Sequence, residues 1–207
     1  MGVPMGLQYS ITAIGSVVIQ TAINSLGSIA VASVTAGQKI GMFFCCPFDA
    51  LGGTMATYAG QNAGAGKVDR IRQGVRQCSM VSLAFCAAAA VAMYFFGRNV
   101  ISLFTTVHDD LLMEQALLYL KMSVPFYIFL GQIFVYRNAL QGIGIASVPL
   151  ISSLLELGGR SVSALVLAAM WGYFGICCAS PICWVMAALF TGGSYHWVMH
   201  TMKAKGR

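Results

Sequence analysis

The sequence predicts an all-α integral membrane protein: one bundle of six transmembrane helices. Three observations predict it. Only 9% of the 207 residues are charged and 58% are hydrophobic, whereas a soluble domain carries roughly 25% charged residues to present to water. Apolar stretches long enough for a bilayer core, which takes about 20 residues per helix, recur six times. The polar connections between them alternate in charge, as cytoplasmic and outer loops do.

The first stretch spans about Met5 to Leu26 and the second about Ile29 to Tyr58. The third spans about Val75 to Phe96 and the fourth about Leu117 to Leu140. The fifth spans about Val148 to Met170 and the sixth about Tyr173 to Met199. Together they make residues 1–207 a single transmembrane domain. Lys67, Arg70, Arg72 and Arg76 follow the second helix, and Asp109, Asp110 and Glu114 follow the third. Arg137 closes the fourth, and Lys203, Lys205 and Arg207 follow the sixth. Basic segments after every even-numbered helix place both termini in the cytoplasm of a multi-pass inner-membrane protein.

Composition also excludes. The net charge of +6 is read as the cytoplasmic side of a membrane protein and not as a nucleic-acid footprint. The seven cysteines form no CxxC pairing with a second such motif or with histidine, so they read as small apolar side chains in helices. Met1-Gly2-Val3-Pro4 lacks the basic start of a signal peptide. His108, His196 and His200 make no zincin pattern. No catalytic set, metal site or cofactor is expected, and the protein is not expected to be an enzyme.

Polar residues inside membranes are costly and so informative. The first helix carries Gln8, Thr12 and Ser16 at four-residue spacing, then Gln20 and Asn24 on a shared face. Such a stripe suits a helix lining a wet substrate or ion cavity, or one hydrogen-bonded to its neighbours. The second helix carries Gln38, Lys39 and Asp49 around Pro47 and Gly52-Gly53. That pattern predicts a bent helix with exposed carbonyls, Asp49 facing the cavity and Lys39 snorkelling. Glu156 and Arg160 stand four apart with the acid first, a favourable order for a structural or gating ion pair. Lys121 and Arg137 read as interfacial anchors. Trp171, Tyr173, Tyr195, His196 and Trp197 read as an aromatic belt, and Trp184 as deeper. Gly60 to Lys67 lacks the Ser or Thr of a phosphate loop, so its glycines are expected to make a cytoplasmic turn, with a basic amphipathic segment from Lys67 to Gln77. Leu111 to Lys121 reads as an amphipathic start on the outer surface before the chain enters the membrane.

Several segments resemble one family in order. Pro4-Met5-Gly6-Leu7-Gln8 and the polar helix after it are similar to the start of the C-terminal lobe of MATE (multidrug and toxin extrusion) transporters, in their bacterial drug-efflux branch. Gln61, Asn62, Ala63, Gly64, Ala65 and Gly66, then Asp69, Arg70 and Ile71, resemble the loop between that lobe's second and third helices. Asn138 to Gly144, with Pro149 beyond, resembles the end of its fourth. Glu156 and Arg160 fall where the family commonly carries an acid and a base.

The resemblance implies half of a truncated exporter. Its parent would carry organic, often cationic, drugs or toxins out of the cell by H⁺- or Na⁺-coupled antiport, a form of secondary active transport. The partners implied are those compounds, the bilayer, and a missing N-terminal lobe or second copy, with no nucleic acid. Some family members bind the coupling ion through carboxylates in the first and fourth helices. Here the first helix has none, and none stands between Leu117 and Leu140. Gln20 and Asn24 could supply oxygen ligands with less charge. The alternative is a non-transport membrane scaffold or an inactive remnant.

Overall fold

A computed structural model of the chain describes residues 2–104 and 109–204, with the side chains of 2–5, 8, 9, 12, 203 and 204 left aside. Seven α-helices are present among the described residues: α1 (Gly2–Asn24), α2 (Ser28–Gly64), α3 (Val68–Phe104), α4 (Asp110–Ser123), α5 (Tyr127–Gly142), α6 (Ser147–Trp171) and α7 (Tyr173–Ala204). A 3-10 turn, Val124–Phe126, joins α4 to α5. The two helices and their turn make one apolar segment, so five segments are long and apolar enough to cross a bilayer: α2, α3, α4–α5, α6 and α7. α1 adds a shorter apolar stretch, Ala13–Asn24. The bundle is the six-membered one expected.

Its surface confirms the solvent. Tyr94, Phe95 and Leu103 on α3 are 79%, 71% and 82% exposed, and α6 turns Leu154, Val162, Leu165 and Met170 outward. A soluble monomer does not display contiguous apolar area of this extent. Lipid accepts it at no cost.

Within the bundle, α2 packs on α3, α4 and α5, while α6 packs on α7 and α1. The contact of α2 with α5 uses small residues. A Cβ at Gly142 would strike the backbone of Ala56, and one at Gly60 would press on the Gly142 carbonyl. A Cβ at Gly52 would meet the Asn138 amide. Small residues let helix backbones approach where lipid offers no hydrophobic drive for association. Phe48, Ile133, Leu120 and Ile101 fill one core cluster, and Ile71, Val135, Leu140 and Met199 fill another nearer the basic end.

The elements refine several expectations. α2 continues as one 37-residue α-helix through Pro47, where the missing N–H removes one backbone bond. Gly52 is a packing surface for α5. A change of helix type lies before Tyr127, where Pro125 sits in the 3-10 turn. Leu111 to Lys121 is the start of α4: Asp109 caps the helix by accepting from the Leu111 amide at 2.9 Å, and it runs on to Ser123. Lys67 to Gln77 is the turn and first part of α3.

Candidate functional site

Two helices build the polar face of the bundle. On α1, Ser16, Ile19 and Gln20 line an open cleft; on α2, Gly37, Gln38, Gly41, Met42 and Cys45 form the facing wall. Tyr119 and Tyr127, Arg160, and Ser180 with Trp184 close it from α4–α5, α6 and α7. Its volume is about 240 Å³. α2 can serve this cleft and the core together because its buried positions (Ser33, Ala36, Ile40, Phe48, Gly52, Met55) recur at helical spacing, leaving an adjoining side open.

Gln20 donates from Nε2 to Asn24 Oδ1 at 3.0 Å, so the shared face is real, with Asn24 exposed and Gln20 half-buried. Ser16 and Gln20 line the cleft and Asn24 lies one turn beyond it. Gln8 and Thr12 have side chains outside the described set, and His108, Lys205 and Arg207 lie outside the described residues. Asp49 is exposed and sits one turn past Cys45, continuing the row Gln38–Met42–Cys45. Lys39 is exposed on α2.

Behind the cleft stands a charge cluster larger than the spacing of Glu156 and Arg160 implied. Arg160 Nη2 lies 3.9 Å from Glu156 Oε2, and Arg137 Nη1 lies 3.5 Å from Glu156 Oε1. The three side chains are only 15–20% exposed. Arg137 is therefore no interfacial anchor. It points into the bundle, where its guanidinium also sits 5.0 Å from the centre of the Phe134 ring, a cation–π distance. The physical reason is electroneutrality: a guanidinium on an apolar helix takes the nearest carboxylate, and α6 offers one. Counting two arginines against one acid in the fourth and fifth apolar stretches would have given the signal. The contacts are long for hydrogen bonds, and Nε of both arginines finds no hydrogen-bond partner among the described residues. Charge, more than directed bonding, holds the cluster.

The α2–α3 turn is built as its glycines suggest. Gly66 has φ +70°, a conformation open to glycine without strain. Asn62 is buried and its Nδ2 donates to the Tyr58 carbonyl at 2.8 Å, while its own carbonyl accepts from the Lys67 amide at 2.8 Å. Gln61 accepts the Ala65 amide through its carbonyl, and Gly64 ends α2. Arg70 points outward, exposed.

The aromatic belt holds only in part. Trp171 and Trp197 are 55% and 71% exposed, but Tyr195 is buried. Tyr173 donates its hydroxyl to the Gln115 carbonyl at 2.9 Å, tying α7 to α4. The seven cysteines are free thiols in helices. Among the described residues no group of three or more His, Cys, Asp or Glu could hold a metal.

Comparison with known proteins gives the family. The MatE family model matches residues 4–166. A Bacillus subtilis (strain 168) protein named "Probable multidrug resistance protein YpnP" is 28% identical over 156 residues, which is 75% of this chain and 35% of that one. A second from the same organism, "Probable multidrug resistance protein YoeA", is 20% identical over 96% of this chain and 43% of its own length. The fold superposes on a MATE crystal structure in complex with MaD5 with a TM-score of 0.89 at 18% identity, covering 98% of this chain and 45% of that one. The chain thus spans less than half the length of each of these relatives. With the family model matching well over half of its residues, this multi-pass membrane protein belongs to the MatE family.

Proposed function

We propose that the chain is the C-terminal lobe of a MATE-type exporter that expels organic, often cationic, compounds by antiport with H⁺ or Na⁺. The other lobe would come from the rest of a longer chain or from a second copy. The observation that carries the reading is the cleft itself: a wall bearing Ser16, Gln20 and Gln38 on α1 and α2 opens on one side of the bundle. Polar groups at that depth are costly unless they face water or a ligand. An opposing lobe would close the open side and leave substrate between the two.

Within that reading each residue has a task. Ser16 and Gln20 offer neutral donors and acceptors that suit varied ligands, with Asn24 orienting the Gln20 amide. Tyr119, Tyr127 and Trp184 add aromatic surface, which attracts flat or cationic molecules. Asp49 is the one carboxylate on α2, one turn past the cleft residue Cys45, and is the candidate for coupling. The Glu156–Arg137–Arg160 cluster joins α5 to α6 directly behind the cleft. Loose contacts of this kind can exchange partners as access alternates. The relatives are named as multidrug resistance proteins of a bacterium, in keeping with drug export.

The test is efflux of a cationic dye from cells expressing the gene that encodes this chain. Gln20→Ala combined with Asn24→Ala should bring efflux to the vector-only level at unchanged membrane abundance, and Asp49→Asn should remove its dependence on the ion gradient. Full efflux in the double variant would sink the cavity reading.

A further inference from the structure

The larger cavity in the bundle is not the polar cleft. It measures about 600 Å³ and opens between α3, α5 and α7 at the basic end of the bundle. Arg72 and Arg76 from the start of α3 and His196 and His200 from the end of α7 line it. Each pair stands four residues apart, one helical turn, so both helices aim two nitrogen-bearing side chains at the same space.

We infer that this cavity binds the headgroup of an anionic phospholipid.

Three observations support the assignment. First, the wall holds donor capacity that nothing uses. Arg72 donates to the Met199 carbonyl at 2.7 Å and meets Asp69 only at 3.9 Å, which leaves most of its five N–H groups open. Arg76 has an exposed side chain. Ser79 Oγ and Tyr195 Oη, both on the wall, are buried and without a hydrogen-bond partner among the described residues. Buried hydroxyls in that state are uncommon and point to a missing ligand or water. Second, the walls are tied to one another. Tyr136, Tyr195 and His196 make tilted and edge-on ring contacts with centres 5.2 to 6.1 Å apart, and Arg72 is anchored to α7 by its bond to the Met199 carbonyl. Walls tied in this way lower the ordering a ligand must supply.

Third, the surroundings fit a molecule with a charged head and apolar tails better than a free anion. Arg76, Met80 and Leu83 lie in one row on α3 at spacings of four and three residues. Met80 and Leu83 are 52% and 41% exposed, so the row passes from a cation to bare apolar surface. Trp197, 71% exposed, stands beside His196 and suits the headgroup level. Phosphate oxygens would receive the guanidinium and imidazole N–H groups, and acyl chains would lie along Met80 and Leu83. Basic pockets between helices near a membrane surface favour acidic headgroups for this reason. The nearest acid, Asp69, is 91% exposed and does not line the cavity.

Native mass spectrometry of the detergent-purified protein tests this, with phosphatidylglycerol, phosphatidylcholine and inorganic phosphate as probes. Phosphatidylglycerol should bind and phosphatidylcholine should not. Arg76→Gln combined with His200→Gln changes two exposed side chains and leaves the Arg72–Met199 bond intact. It should weaken phosphatidylglycerol binding by about tenfold, the scale of losing one cation and one further hydrogen-bond donor to the headgroup. Lys67→Gln combined with Arg70→Gln removes two exposed charges from the adjoining turn, outside the cavity, which reach the headgroup only through screening solvent, and should change binding by less than about twofold. Equal losses in the two double variants would reduce the effect to general surface charge and overturn the site. Inorganic phosphate binding with the same sensitivity, and no lipid binding, would overturn the lipid assignment. A shared unfolding temperature for the variants and parent excludes misfolding as the cause of any loss.

Discussion

The two sides of α2 follow different rules. One side carries Phe48, Gly52, Met55 and Ala59, buried against α3 and α5 with backbones nearly touching at Gly142. The other carries Gln38, Met42, Cys45 and Asp49, facing the cleft or solvent. Gly52 and Asp49 are three residues apart, on adjoining faces of one helix. The first is fixed by packing, because in a bilayer close van der Waals contact and the removal of bulk are what hold helices together. The second has no such neighbour among the described residues, so folding does not explain a carboxylate there. Substitutions on the two sides should therefore separate cleanly into loss of fold and loss of transport.

The largest expected effect lies at the α2–α5 contact. Gly142→Leu would push a side chain into the Ala56 backbone, which cannot rotate away. The cost should reach or exceed about 3 kcal/mol, the upper range for overpacking, and show as loss of monodisperse protein after detergent extraction. A well-folded variant would mean that α2 and α5 are less closely joined than the structure has them. The next effect belongs to the charge cluster. Glu156→Gln leaves Arg137 and Arg160 facing each other without their counter-charge and should cost about 3 kcal/mol. Arg137→Gln leaves the Glu156–Arg160 pair and should cost less. Thermal unfolding of the purified variants would give the order. A larger loss for Arg137→Gln would assign that residue a packing role through Phe134 in place of the electrostatic one.

The bundle was legible from composition and loop charge because a bilayer imposes few solutions: long apolar helices with their ends in water. Gly66 was legible for a similar reason, since a turn between two antiparallel spans needs a residue tolerant of positive φ. What escaped the sequence was long-range or cancelling. Arg137 and Glu156 stand on different helices, and nothing in the spacing within either one announces their contact. Tyr195 looks like a belt residue by position along the chain, yet rotation about α7 buries it. Pro47 and Pro125 look alike in sequence. One sits in an unbroken helix and the other in the turn that ends one, and neighbouring packing makes the difference. The cleft was half visible: Ser16 and Gln20 announced themselves by period, whereas Tyr119, Tyr127 and Trp184 arrive from other helices.

The smallest stability effect is the most discriminating one. Asp49→Asn keeps size and hydrogen-bonding atoms and removes only charge. The side chain is exposed and has no ion pair among the described residues, so its unfolding temperature should match the parent's, a change within about 0.5 kcal/mol. Gly52→Leu, one turn away on the buried side, should unfold well below both, because its side chain meets the Asn138 amide. If Asp49→Asn instead destabilised the protein as much as Gly52→Leu, the carboxylate would be a structural group with a partner formed only in the assembled transporter. The open side of α2 would then belong to an interface and not to a cavity. If stability is unchanged while gradient-driven dye efflux is lost, the charge at position 49 serves transport alone.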